Sequence, residues 1–480
     1  MASVFDRFRH VLLFASLAAL AAATSYALDV VWDNDVYFLI ATGRSIASSG
    51  ISSVEPLAMH DGLDYMAQQW LSALIDGALY DAGGRAAVSL FHTGVWLVAG
   101  GALYAAALSA SGGRRVVSAA AAGLALLLCA PVAKSNPRGF DMVAFALCVL
   151  LASRFVGTGR KAHLAGVVAA CAVLANLHVS MWPVCAVPLV AALFDARCSM
   201  RSRAWLLAAC LGCAAASCAT PYGPRGALYV FESLSSDSFD AFAISEVAPL
   251  DSGSLVFWPL AALAVAYAFF RGRRGGALRL EDALAAGSAL LAFSSVRSYP
   301  LLVFALAVAF ARASKDASLP DPAETSRPLL AAALCSPLLA AAVLAPQAAG
   351  NVGFGAEETS PERVERAEAV SAIVAEEGEG ARVFALFNDG GSCELAGLRP
   401  YIDARAEVFA PELNGGRDIA SEYMGYQKGW TDFAVLDGEY GFDAVLFDDS
   451  FALRDTYAQF EEAGFERVYG GERYSAWTRR

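Results

Sequence analysis

Two carboxylates stand two residues apart in the stretch WDNDVYFLIATGR, at Asp33 and Asp35, just after an apolar run that ends at Leu28. A carboxylate so placed can take a proton from a sugar hydroxyl as general base, or hold a divalent cation against a phosphate. A structural explanation competes. Asp33 suits the N-cap of a helix expected from about Asn34 to Ser49, and Asp35 falls in its first turn, where negative charge favours the helix dipole. Capping accounts for one acid well and for two acceptably, and a capping acid can also face a cavity.

Other chemistry-bearing side chains sit at breaks in apolar sequence: Arg138 in KSNPRG, His178 in NLHVS, Tyr222 in TPYG, Glu246 in a long loop, and Arg297 beside Tyr299 in VRSYP. Arg138 and Arg297 either snorkel to lipid headgroups or clamp a phosphate, for which a guanidinium is suited. His178 either bonds a backbone carbonyl at a kink or handles a lipid phosphate or a proton. Glu246 is a second acid or a solvated loop residue. His60, Asp61 and Asp64 form a small polar cluster with too few ligands for a metal site.

These residues need elements to hold them. The chain is 57% hydrophobic and 17% charged, which points to a membrane protein. About eleven apolar segments follow one another: His10–Leu28, Ala87–Ala110, Val116–Ala133, Phe140–Phe155, Leu164–Leu177, Val179–Phe194, Ala204–Ala219, Leu255–Phe270, Ala283–Val296, Leu301–Ala311 and Pro328–Ala345. The first could pass for a signal peptide, but its length and the spans behind it indicate an uncleaved helix. Arginines and lysines recur at alternate ends of the spans. The positive-inside rule then places the N-terminus in the cytoplasm and every break named above on the outer side. Ionisable groups at membrane depth are functional candidates by default.

From about Gly350 the sequence turns acidic and loses its long apolar runs. GARVFALFNDGG, RPYIDARAEVFA and FDAVLFDD have the pattern of strands, FALRDTYAQFEEAGF of a helix, and FERVYGGERYSAWTR of a hairpin. The expected organisation is a polytopic α-helical membrane domain over 1–349, with an amphipathic first outer loop at 29–85, followed by an extracytoplasmic α/β domain over 350–480. Asp403 and Arg405 alternate on an expected strand and make a salt bridge or touch the membrane domain. The net charge of −12 offers no basic face to nucleic acid. Most of the ten cysteines lie in apolar segments and are read as packing residues, including the CxxC of Cys210 and Cys213. No P-loop or dinucleotide-binding glycine pattern is present, so nothing points to direct use of a nucleotide.

This arrangement resembles the GT-C superfamily of polytopic glycosyltransferases, and more closely a group of bacterial membrane proteins near it. The matching residues run in order: Asp35, Tyr37, Gly43 and Arg44; Val54-Glu55-Pro56; Gln69-Trp70-Leu71; Asn176-Leu177-His178; Pro221-Tyr222-Gly223; Ile244 and Glu246; Arg297, Pro300 and Leu301; Gly390-Gly391; Asp403 and Arg405. Gln69 stands where an acid is common, Leu39 where a His is frequent, and Pro137 precedes Arg138 instead of following it.

The resemblance implies transfer from a polyprenyl-phosphate sugar to a glycan or lipid acceptor at the outer face of the cell membrane. Asp33 or Asp35 would be the base, and Arg138, His178, Tyr222, Glu246, Arg297 and Tyr299 would bind substrate. A divalent cation is compatible with the D-x-D pair. A non-catalytic scaffold or a transporter of lipid-linked glycans of the cell envelope is the alternative. The lack of internal repeats and the large outer domain fit an enzyme or scaffold better than a carrier.

Overall fold

A computed structural model describes residues 2–234, 248–254, 256–317, 327–355, 358–453 and 455–480. Every apolar segment identified in the sequence is helical. The helices are α1 (Ala2–Ala27), α2 (Asn34–Ser49), α3 (Trp70–Ala110), α4 (Arg115–Cys129), α5 (Arg138–Thr158), α6 (Ala162–Leu177), α7 (Pro183–Leu193), α8 (Met200–Ala216), α9 (Pro224–Leu234), α10 (Phe257–Arg274), α11 (Leu280–Ser294), α12 (Tyr299–Asp316) and α13 (Arg327–Val352). Among the described residues, six helical stretches are long and apolar enough to cross a membrane. Eleven crossings remain an expectation.

The chain forms two compact units that do not follow its order. Most of one consists of Trp32–Ser89 with Gly350–Arg480; the other is built from Met1–Val31, Leu90–Ala227 and the helices between 256 and 349.

In the helical unit, close approach rests on small residues, as it must where lipid gives helices no hydrophobic reason to associate. A Cβ on Gly123 would lie 2.6 Å from Leu17 Cβ, so α1 and α4 meet over a bare backbone. Helix α12 is buried almost all round, from Tyr299 to Ser314, as expected for a helix apolar on every face. The ten cysteines are all free.

The other unit carries a five-stranded sheet in the order β2-β1-β3-β5-β4. Its strands are β1 (Arg382–Ala385), β2 (Arg399–Pro400), β3 (Ala444–Asp448), β4 (Phe465–Gly470) and β5 (Tyr474–Arg479). β1 pairs in parallel with β2 and β3, while the expected hairpin closes the sheet with β5 antiparallel to β3 and β4. Helix α14 (Pro361–Glu377) lays Ala369, Val370 and Ile373 on the sheet against Val383, Ala444 and Ala476. Ser360 caps α14 by accepting from the Arg363 amide at 3.4 Å. The helical pattern of 451–465 yields only a short helix at Thr456–Glu462.

One expectation changes here. Asp403 and Arg405 do not lie on a strand, because β2 stops at Pro400 and the chain bends. Helix α2 has Val36, Tyr37, Leu39, Ile40, Ala41, Thr42 and Gly43 buried. It packs on α15 (Gly390–Leu395) and on the first turns of α3.

Glycines make that packing possible. A Cβ on Gly43 would lie 1.9 Å from the Ala73 carbonyl oxygen, and one on Gly390 equally close to that of Ile402. Gly391 sits against the backbone of Phe38. Gly43→Ala is therefore expected to cost about 1–3 kcal/mol, since the obstacle is backbone that cannot rotate away. Gly438→Ala, in a helix with open space around the site, should instead stabilise by about 0.5–1 kcal/mol. Thermal unfolding of the two variants checks both signs.

Candidate functional site

The stretch WDNDVYF turns directly into α2. Asp33 is its N-cap, with extended backbone at φ −117° and ψ −179°, and Asp35 lies in the first turn. The Asp33 side chain makes no capping hydrogen bond. Both acids are half-buried at a helix start, where the macrodipole supports their negative charge. Capping therefore explains the position of Asp33 but not the use of its carboxylate.

The aromatic residues around the two acids are each covered by a buried arginine. Arg85 lies 4.8 Å over the Trp32 ring, Arg366 lies 4.8 Å over Tyr37, and Arg405 lies 5.7 Å over Phe38. Such contacts contribute about 2 kcal/mol each when desolvated. Every arginine is also held by carboxylates. Arg85 pairs with Glu358 at 2.8 Å, and the same Glu358 accepts from the Tyr37 hydroxyl. Arg366 reaches Asp389 at 3.1 Å and Asn34 Oδ1 at 3.2 Å, and Asp389 also accepts from the Tyr474 hydroxyl at 3.0 Å.

Arg405 is the most enclosed. It donates to Asp403 at 2.6 Å and to Glu394 at 2.6 Å, and pairs with Glu55 at 2.8 Å. Glu55 in turn accepts from the amides of Leu57 and Ala58 at 2.7 and 2.6 Å, which fixes the loop behind α2. Three carboxylates around one guanidinium leave an excess of negative charge in a dry site. Burial, with the neighbouring acids, pushes the Glu394 carboxyl well above the usual range, against the pull of Arg405.

The polar cluster of the first loop is a docking element. His60 Nε2 lies 2.7 Å from the Tyr401 carbonyl, between the rings of Tyr401 and Tyr440, each at 5.2 Å. Asp61 pairs with Arg399 at 3.0 Å, and the Asp64 amide donates to Asn414 O. Among the described residues, no group of three or more His, Cys, Asp or Glu gathers as a metal site.

Burial lowers the His60 pKa from 6.5 to about 4. Between those values the unfolded chain binds the extra proton, so stability is complete above pH 6.5 and falls as the pH drops towards 4. Full protonation costs roughly 3 kcal/mol. Glu394 works in the opposite sense, so the expected result is a difference. Wild type should lose more stability than His60→Phe between pH 7 and 5 in thermal unfolding of the intact protein.

The remaining residues of the expected site belong to the helical unit. Arg138 is the first residue of α5, its amide bonded to Asn136 Oδ1 at 3.3 Å. His178 is the C-cap of α6 and is buried. Its Nδ1 lies 3.0 Å from both carboxylate oxygens of Asp141, in the first turn of α5. A carboxylate at Nδ1 fixes the ring orientation. Tyr222 is half-buried in the turn closed by the Gly223 amide on Thr220 O at 3.0 Å. Arg297 is exposed in a 3-10 turn. Tyr299 is 1% exposed and donates to Leu128 O at 3.2 Å. Glu246 lies outside the described residues.

The architecture has known counterparts. An oligosaccharyltransferase of Archaeoglobus fulgidus carrying a tethered acceptor peptide matches 100% of this chain and 75% of its own, at TM-score 0.57 and 12% identity. The archaeal oligosaccharyltransferase AglB from the same organism, with an inhibitory peptide and a dolichol-phosphate, gives TM-score 0.60 at 12% identity over 99% of this chain and 75% of that one. ArnT from Cupriavidus metallidurans, bound to undecaprenyl phosphate, gives TM-score 0.53 at 16% identity over 97% of both chains.

The chain has the fold of these solved membrane proteins. No family model and no curated protein matches the sequence.

Within this fold, several motif positions take on definite structural work. Gly43, Gly390 and Gly391 are close-approach sites; Glu55, Asp403 and Arg405 are one ionic cluster. Sequence reasoning missed Asp141, Glu358, Arg366 and Arg85. Asp141 had a signal, as an acid one residue inside an apolar span. The other three gave no local signal, because each also meets a partner far away in the sequence, such as Glu358 for Arg85 and Tyr37, and Asn34 for Arg366.

Proposed function

We propose that the protein is a glycosyltransferase that uses a polyprenyl-phosphate sugar at the outer face of the membrane. The observation that carries this reading is the start of α2: two half-buried carboxylates, the first making no capping bond, on a helix whose aromatics are gripped by three buried arginines. Catalytic groups need such a rigid mount, because small misplacements cost rate. The GT-C fold supports the choice of reaction class.

In this reading Asp35 or Asp33 removes the proton from an acceptor hydroxyl. The oxygen attacks the anomeric carbon, the bond to the lipid phosphate breaks, and polyprenyl phosphate leaves with the electron pair. Arg138 and Arg297 carry the charge suited to that phosphate, and the Asp141–His178 pair orients an imidazole for it. Magnesium-like cations take one or two carboxylates plus substrate phosphates, which matches what Asp33 and Asp35 offer. When bound, such an ion would neutralise charge on the leaving phosphate.

The test is native mass spectrometry of the detergent-purified protein with a panel of polyprenyl-phosphate sugars. Retention of one sugar lipid, with turnover in wild type and accumulation in Asp35→Asn, is expected. Equal indifference to every sugar lipid would sink the proposal and leave a scaffold of the cell envelope as the reading.

A further inference from the structure

A second polar site lies in the helical unit, where the ends of α10, α11 and α12 meet. A cavity of about 220 Å³ opens there, lined by Arg271, Arg274, Arg279, Arg312 and Glu281 among others. An apolar cavity of about 150 Å³ already admits benzene, so this one has room for a small headgroup.

Part of its charge is internally matched. Arg271 donates to Asp282 at 2.8 Å and to the carbonyls of Gly275 and Ala277. Asp282 also accepts from the Tyr267 hydroxyl at 2.7 Å and the Arg279 amide at 3.0 Å. Arg312 Nε lies 3.5 Å from Asp316, with no hydrogen-bond partner among the described residues.

Glu281 is the anomaly. It is 2% exposed, lines the cavity, and its Oε2 has no hydrogen-bond partner among the described residues. Leaving such an oxygen unmet in a buried site costs about 1–3 kcal/mol or more. The nearby Asp195 is engaged elsewhere, with Arg197 at 2.7 Å and the Leu280 amide at 2.9 Å.

Arginine side chains beside one unmet buried carboxylate suit neither a bare anion nor a bare cation. They suit a phosphate joined by a short link to an ammonium. Lipid is the indicated source, because Val265 and Phe269 on α10 are 68% and 64% exposed on the approach to the rim, where acyl chains would lie. Arg274 is held at that rim, 4.8 Å over the Phe270 ring. Basic pockets between membrane helices bind phospholipid headgroups elsewhere.

We infer that this cavity binds the headgroup of an ethanolamine phospholipid, with Arg274, Arg279 and Arg312 on the phosphate and Glu281 on the ammonium. The site is independent of the glycosyl-transfer reading.

Native mass spectrometry of the intact protein tests it, with phosphatidylethanolamine, phosphatidylglycerol, free phosphoethanolamine and inorganic phosphate as probes. Wild type should retain phosphatidylethanolamine about tenfold better than phosphatidylglycerol, the difference expected of one charge-assisted hydrogen bond. Glu281→Gln should erase that preference with no fall in thermal stability, and Arg274→Gln, at an exposed position, should weaken both lipids. Equal retention of the two lipids by wild type, or a preference that survives Glu281→Gln, overturns the inference. Displacement by free phosphoethanolamine at equal concentration overturns the lipid assignment, and displacement by inorganic phosphate overturns the role of Glu281.

Discussion

Asp35→Asn, alone and combined with Asp33→Asn, should lower glycosyl transfer by about 10²–10⁴-fold while leaving thermal unfolding nearly unchanged. The two readouts separate the two explanations of these acids. A helix that loses a working N-cap loses about 0.5–2 kcal/mol. Asp33 makes no capping bond, so its amide variant removes none. The amide keeps size and polarity, and removes only the charge and the basicity on which proton abstraction or cation binding depends. Loss of stability with transfer intact would return both residues to helix-start duty.

Arg405→Met should be the most damaging single change in the sheet-bearing unit. Removing one partner of a buried ionic cluster costs about 3–5 kcal/mol, because the remaining charges stay dry and unmatched. For a unit of this size that corresponds to a fall of roughly 6–20 °C in Tm. The acids around it should not be equivalent. Glu394, whose carboxyl burial pushes upward, is expected to tolerate Glu394→Gln better, since the amide also offers a donor and an acceptor. Asp403 takes two donations from the guanidinium and one from the Arg405 amide, so Asp403→Asn should destabilise by several-fold more. Equal effects of the two amides would show that the two acids share the Arg405 charge evenly. Loss of Arg405 also removes the cation from Phe38 and Tyr65, so the mounting of α2 should loosen with it.

Local patterns carried much of this structure into view. Asp33 and Asp35 were legible at a helix start because N-cap chemistry is written in adjacent residues. The apolar segments were legible because length and hydropathy are local properties, and the closing hairpin because GG separates two strand-like runs. The apolar face of helix α2 is a local fact, but part of what covers that face comes from Gly390 and Gly391. The Asp403–Arg405 pair was readable from spacing alone, whereas its third and fourth members, Glu55 and Glu394, were not.

The grip on α2 also sets a schedule. Tyr37 and Glu358 are separated by 321 positions, and His60 and Tyr401 by 341. At about 5–20 residues per second of synthesis, the aspartate helix emerges on the order of 15–60 s before the residues that will hold it. That helix is therefore made early and held late: in a growing chain it passes through synthesis before Glu358, Arg366 and Arg405 exist to hold Tyr37 and Phe38.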